Sequence, residues 1–248
     1  MTRIITLFLL APVSLCAQSE TGGAPEVRPL FVNQDTLQVR IEAPLTTLLR
    51  ERSDTEYLTG KLAYTDASGT EVMFDLELRA RGRYRRQRDT CPFPPVRLNL
   101  KKKQVMGTEF AGEDKLKLVT HCRNGSDTYE QYVLKEYLAY KIFNAITEYS
   151  FGARLLHVTW VDSERDGKTT EVRYGFVIED DELLAERTGA ELIKVPMLRY
   201  EQLDAAQANL VAVYEYFIGN TDFSMVHGAK DDECCHNSAP LSIDGGAY

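Results

Sequence analysis

The chain carries no G-x-S-x-G nucleophile elbow, no Walker phosphate loop and no H-E-x-x-H helix, so three common routes to hydrolytic or nucleotide chemistry are missing. It has no internal repeat, no coiled-coil heptad run and no low-complexity tract, which excludes solenoid and fibrous architectures. Past the first 17 residues no apolar run is long enough to span a bilayer. Cations are outnumbered: 29 Lys and Arg against 37 Asp and Glu leave a net charge of −8, which argues against a nucleic-acid partner or an anionic membrane surface. The lone tryptophan, Trp160, lies in a strand-like stretch and reads as core rather than as a stacking platform.

What is present suits one large domain or two small lobes: 248 residues, 44% hydrophobic and 27% charged. Residues 1–17 read as a signal peptide, with Arg3 as the positive region, Ile4 to Cys16 as the apolar region and Leu15-Cys16-Ala17 as the cleavage site. Leu15 is bulky where a lipidated cysteine wants a small predecessor, so cleavage after Ala17 is expected over a lipoprotein. The product is then exported, periplasmic or secreted. Residues 18–27 are small and polar and read as a flexible lead-in. Cleavage leaves Cys91, Cys122, Cys234 and Cys235, an even set that in an exported chain points to two disulfides. Because a ring of adjacent cysteines strains the peptide, Cys234 and Cys235 are expected to reach Cys91 and Cys122 separately. The spacing of His121, Cys122, Cys234, Cys235 and His236 matches no common zinc pattern, so oxidation is expected in place of zinc.

Strand alternation is expected at Leu37 to Ile41, Gly60 to Asp66, Glu71 to Arg79, Val96 to Leu100 and Lys115 to Val119. Val72, Phe74, Leu76 and Leu78 share one face, and Asp66 to Gly69 forms a turn. Residues 128–149 form the long helix, capped by Ser126 or Asp127 with Glu130 completing a capping box, and apolar enough to be buried between layers. A hairpin turning at Asp166-Gly167 joins Arg154–Asp162 to Val172–Ile178, and Glu179–Glu182 opens a short helix. Asp204 caps a last helix that stops at Gly219.

Three groups of side chains could carry chemistry. Arg79 to Arg88, RARGRYRRQR, holds six arginines around Gly82, and guanidinium forks fit phosphate, sulfate or carboxylate. Against a nucleic-acid reading, Tyr84 is the only aromatic interleaved there. Lys115 and Lys117 share one face of their strand, either as solvated lysines or as phosphate contacts. Asn220, Asp222 and Asn237 surround a polar turn after Gly219; they serve as turn formers, or as a base and a cation ligand.

Taken in order, the chain resembles the spore-coat-protein-H-like (CotH-like) atypical kinases, over residues 70–237. The resemblance is carried by Arg81-Gly82-Arg83-Tyr84, Pro95–Leu100, Asp114–Leu118, the helix with Glu136 and Gly219-Asn220-Thr221-Asp222. The chain is similar as well to exported bacterial proteins that share the Cys234-Cys235-His236-Asn237 ending. The resemblance implies an α+β, bilobal protein-kinase-like fold: a β-rich lobe over 28–178 and an incomplete helical lobe over 179–248. It implies ATP and Mg²⁺ as cofactors and phosphoryl transfer to a hydroxyl acceptor. Asp222 would be the catalytic base, Asn237 a metal ligand, Lys117 a nucleotide contact with Glu136 as its partner, and Gly175 to Asp180 the backbone facing adenine. Arg81 and Arg83 would stand in for a glycine-rich phosphate loop. The family's acidic metal motif would follow beyond Tyr248, so the resemblance also implies a C-terminally shortened, inactive chain. The alternative is a non-catalytic, disulfide-stapled envelope protein that binds an anionic ligand through Arg79 to Arg88.

Overall fold

Among the described residues nine strands form, the longer ones from residues of alternating character: β1 Leu37–Ala43, β2 Leu58–Thr65, β3 Glu71–Ala80, β4 Val96–Leu100, β5 Lys115–Val119, β6 Ala153–Asp162, β7 Lys168–Ile178, β8 Glu191–Leu192 and β9 Leu241–Ser242. Between them lie the helices α1 Pro29–Val32, α2 Leu45–Glu51, α3 Lys102–Val105, α4 Asp127–Asn144, α5 Asp181–Thr188 and α6 Ala205–Ile218. The computed structural model describes residues 28–229, 232–243 and 245; the signal peptide at 1–17 and the lead-in at 18–27 lie outside them. Among the described residues no helix is long and apolar enough to cross a membrane.

The first seven strands close a barrel in the order β1-β2-β3-β4-β5-β7-β6. Six of the pairings are antiparallel, and the barrel is sealed by a parallel one, β1 against β6, in register from Leu37↔Leu156 to Ala43↔Asp162. Closure leaves neither strand with an unpaired edge. Because side chains alternate, every second residue points inward, and Val39, Ile41, Leu62, Leu76, Leu78, Leu98, Leu116, Val158 and Val177 fill the interior. Gly60 and Gly175 mark close approaches within the sheet. A Cβ on Gly60 would lie 2.6 Å from the Glu42 carbonyl, and one on Gly175 2.8 Å from that of Val119.

The bilobal kinase-like fold is therefore corrected. The hairpin of residues 154–178 is instead the closing part of the barrel. After β7 the described chain adds α5, α6 and a two-stranded β8–β9 sheet rather than a helical lobe. The α4 helix lies on the outside of β6 and β7 and meets α6 through Tyr214, whose ring lies 4.7 Å from Phe143 and whose hydroxyl donates to Ala139 O. It is thus partly covered rather than buried between layers. Val133 is its buried residue, while Tyr132, Leu138 and Ile142 are exposed. Val133, Tyr137 and Tyr140 pack on Phe176 and Ile178, so β7 is covered on both faces. The expected capping box does not form: Glu130 accepts from the Tyr174 amide at 2.7 Å and from Arg173 at 3.2 Å. Asp204 does cap α6, accepting from Gln207 N at 2.8 Å, and Gly219 ends that helix in the left-handed conformation. Yet Tyr214 is the buried residue of α6, with Val213, Tyr216 and Phe217 open to solvent.

One end of the barrel is plugged by Phe110, edge-on to Tyr64 at 5.5 Å and to Phe74 at 5.4 Å. Beside Phe110, Glu113 is fully buried, and neither carboxylate oxygen has a hydrogen-bond partner among the described residues. The nearest cation, Arg28, is 4.0 Å away and is also drawn to the Gly112 carbonyl and to Glu186. Burial raises the Glu113 carboxyl to about 7; Arg28 opposes the rise, and Glu179 and Asp180 add to it. The folded protein thus holds a proton that the unfolded chain releases near its ordinary carboxylate pKa. Stability from this group is complete below the unfolded value and is lost as pH rises through about 7. We expect Glu113→Gln to match the parent at pH 5 in urea unfolding and to exceed it at pH 8. The gain should be at most about 3 kcal/mol.

Candidate arginine-lined anion site

Strand register builds the site. On the outer face of the barrel Arg79 lies opposite Arg97, and Arg97 opposite Lys117, which forms a row of three cations across β3, β4 and β5. Each sits between inward-facing neighbours, such as Leu78 and Ala80 or Val96 and Leu98, so pleating alone turns the charges outward. Arg81 extends the ladder one step, its amide donating to Pro95 O at 2.8 Å. Gly82, at φ +87°, then swings the chain away from the sheet.

The loop from Gly82 to Pro95 is held from beneath. Arg52, buried at the left-handed C-cap of α2, donates to Leu49 O at 2.9 Å, Arg86 O at 3.0 Å, Cys91 O at 2.9 Å and Pro92 O. Phe93 pairs with Cys122 across a single bridge, its amide 2.7 Å from the Cys122 carbonyl, and its ring packs tilted against Trp160 at 4.8 Å. His121 is fully buried there, its Nε2 2.7 Å from Asn124 Oδ1, and burial lowers its pKa. The disulfides follow this geometry and differ from the expected pairing: Cys91 is joined to Cys122, and Cys234 to Cys235. The Phe93–Cys122 bridge, an extension of the antiparallel β4–β5 pairing, brings the first pair to a Cα separation of 4.9 Å.

Between the loop and the sheet lies a cavity of about 330 Å³ lined by Asp54, Arg79, Arg81, Gly82, Arg83, Arg86 and Arg97. Three of these arginines are committed to acids. Arg86 bonds Asp54 at 2.7 Å, Arg97 bonds Asp180 at 2.8 Å, and Arg83 bonds Asp232 at 2.8 Å. Arg79 has no carboxylate: its guanidinium lies over Tyr57, 5.2 Å from the ring centroid. Among the described residues the Arg81 side chain makes no hydrogen bond and no ion pair, and the Gly82 amide donates to no acceptor. Burial holds the Arg81 guanidinium below its ordinary range; Arg97 and Arg85 push the same way, against Tyr140 and Glu136. Arginine stays charged regardless; Arg79 Nη1 makes one long contact with the Ala80 carbonyl at 3.3 Å, and among the described residues Arg81 and the Gly82 amide are donors without an acceptor.

The other sequence-predicted residues go elsewhere. Lys117 bonds Asp181 and sits 5.3 Å from the Phe151 ring, while Glu136 bonds Arg85 at 3.0 Å, so these two are not partners. The backbone of Gly175 to Ile178 lies within the ladders of β7 with β5 and β6 and is not offered to an adenine ring. Asp222 and Asn237 do meet: Asn237 Nδ2 donates to Asp222 O at 2.6 Å and approaches Oδ2 at 3.4 Å. Asp222 Oδ1 takes His236 Nε2 at 2.9 Å. Among the described residues no three His, Cys, Asp or Glu side chains gather as a metal group.

Sequence reasoning missed Arg52, Asp54 and Arg97. Arg97 was accessible from the alternation of Val96 to Leu100; Arg52 and Asp54 lie in an irregular stretch without a pattern. Replacing Cys91 and Cys122 together should cost roughly 3–4 kcal/mol in chemical unfolding, from the 31-residue separation they span. Replacing Cys234 and Cys235 should cost far less, since adjacent residues close almost no chain. No family model, curated protein or solved structure matches the chain.

Proposed function

We propose that this chain is an exported, disulfide-stapled binding protein that takes a small oxyanion into the arginine cavity. The observation that carries the reading is Arg81, a half-buried guanidinium in a cavity with no acceptor of its own. A guanidinium recovers its lost hydration only through an anion that accepts from its fork. Arg79 supplies a second cation free of carboxylate, and the Gly82 amide a third donor direction.

Phosphoryl transfer, the activity implied by the resemblance, would need Lys117, Glu136, Asp222 and Asn237 to act together. Lys117 and Glu136 are engaged with other residues, whereas anion binding uses groups that the barrel does assemble. Export accords with the leader and with the paired cysteines.

Isothermal titration with inorganic phosphate, sulfate, pyrophosphate, and ATP with and without Mg²⁺ tests the reading. We expect at least one anion to bind, to weaken as salt rises, and to lose about tenfold or more in affinity in Arg81→Gln. The reading fails if no anion binds, or if Arg81→Gln binds as the parent does. ATP binding that requires Mg²⁺ and Lys117 would instead restore the phosphotransferase reading.

A further inference from the structure

Asp54 is the one carboxylate among the residues that line the arginine cavity. Its Oδ2 is ion-paired with Arg86 Nη2 at 2.7 Å, and among the described residues its Oδ1 makes no hydrogen bond. An ionised carboxylate only accepts. Of the other groups that line the cavity, the Gly82 carbonyl is already taken by Arg86 Nε at 3.2 Å, while the arginine guanidiniums and the Gly82 amide are donors. A bound anion therefore meets donors on most sides and one acceptor. An oxyanion without a proton presents only lone pairs to Asp54 and is repelled there. One that still carries an O–H can donate to Oδ1 while its remaining oxygens accept from the arginines.

We propose that Asp54 makes this cavity selective for inorganic hydrogen phosphate over fully deprotonated oxyanions. The inference rests on the anion-binding reading above and adds the ligand's identity and the residue that determines it. Inorganic phosphate keeps at least one O–H throughout the neutral range, whereas sulfate keeps none. A phosphate monoester loses its last proton near a pKa of about 6, so above that pH it resembles sulfate. The cavity therefore separates free phosphate from its esters as well as from sulfate, by the same contact.

The test titrates the whole protein at pH 7.5 with inorganic phosphate, sulfate and phenyl phosphate, in the parent, Asp54→Asn and Arg81→Gln. Asparagine can keep an acceptor on Arg86 while turning a donor toward the ligand. We expect the parent to bind phosphate about tenfold more tightly than sulfate or phenyl phosphate. Asp54→Asn should remove the preference by strengthening sulfate as well as weakening phosphate. A residue that merely held Arg86 in place would weaken all three together. If the parent binds phosphate and sulfate equally, or Asp54→Asn leaves the ratio unchanged, the selectivity is overturned and anion binding stands. If none of the three binds, or Arg81→Gln binds as the parent does, the anion-binding reading itself falls.

Discussion

The parallel pairing of β1 with β6 is the constraint on which the other features rest. Both strands otherwise end in open edges, and their seven-residue register converts a curved antiparallel sheet into a closed barrel. Once closed, the barrel has a fixed inside and outside. Leu78, Leu98 and Leu116 are committed to the interior, and Arg79, Arg97 and Lys117 to the outer face. A slip of one residue in any pairing would exchange these sets and bury cations, at a cost no local contact could offset.

The arginine site illustrates how a dense cationic segment is kept in a folded protein. Three of its six guanidiniums are paired with acids distant in sequence, Arg83 with Asp232, Arg85 with Glu136 and Arg86 with Asp54, and the neighbouring Arg52 is solvated by backbone carbonyls. The exposed pairs among them contribute little to stability. Their effect is positional: they tie the loop to the rest of the fold while Arg79 and Arg81 keep no carboxylate partner among the described residues. Arg52 anchors that loop through four carbonyls, so its flank is positioned by the barrel end rather than by its own sequence.

Much of the β structure was legible. The alternations at β1, β3, β4 and β5, the Asp66–Gly69 and Asp166-Gly167 turns, the Asp204 cap and the Gly219 stop all reflect preferences expressed within a few residues. The environment of the helices was not legible. The tyrosines and aliphatic residues of α4 suggested burial on all sides, yet the barrel offers one face to pack against, and Leu138 and Ile142 remain exposed. The cysteine pairing failed for a related reason. Ring strain disfavours adjacent cysteines locally, but Cys91 and Cys122 are taken up by the Phe93–Cys122 bridge at the barrel end.

The sequence by itself determined which residues form strands, which faces of those strands are apolar, and that six arginines crowd ten positions beside Gly82. Those properties follow from period-two pleating and from local turn chemistry. The tertiary structure decided that the sheet closes, that Arg97 and Asp54 join Arg79 and Arg81 around one cavity, and that Lys117 and Glu136 do not meet. The physical reason is that such contacts are set by strand order and by closure between β1 and β6. Those pairings are chosen by the free energy of the whole sheet, and no window of neighbouring residues contains it.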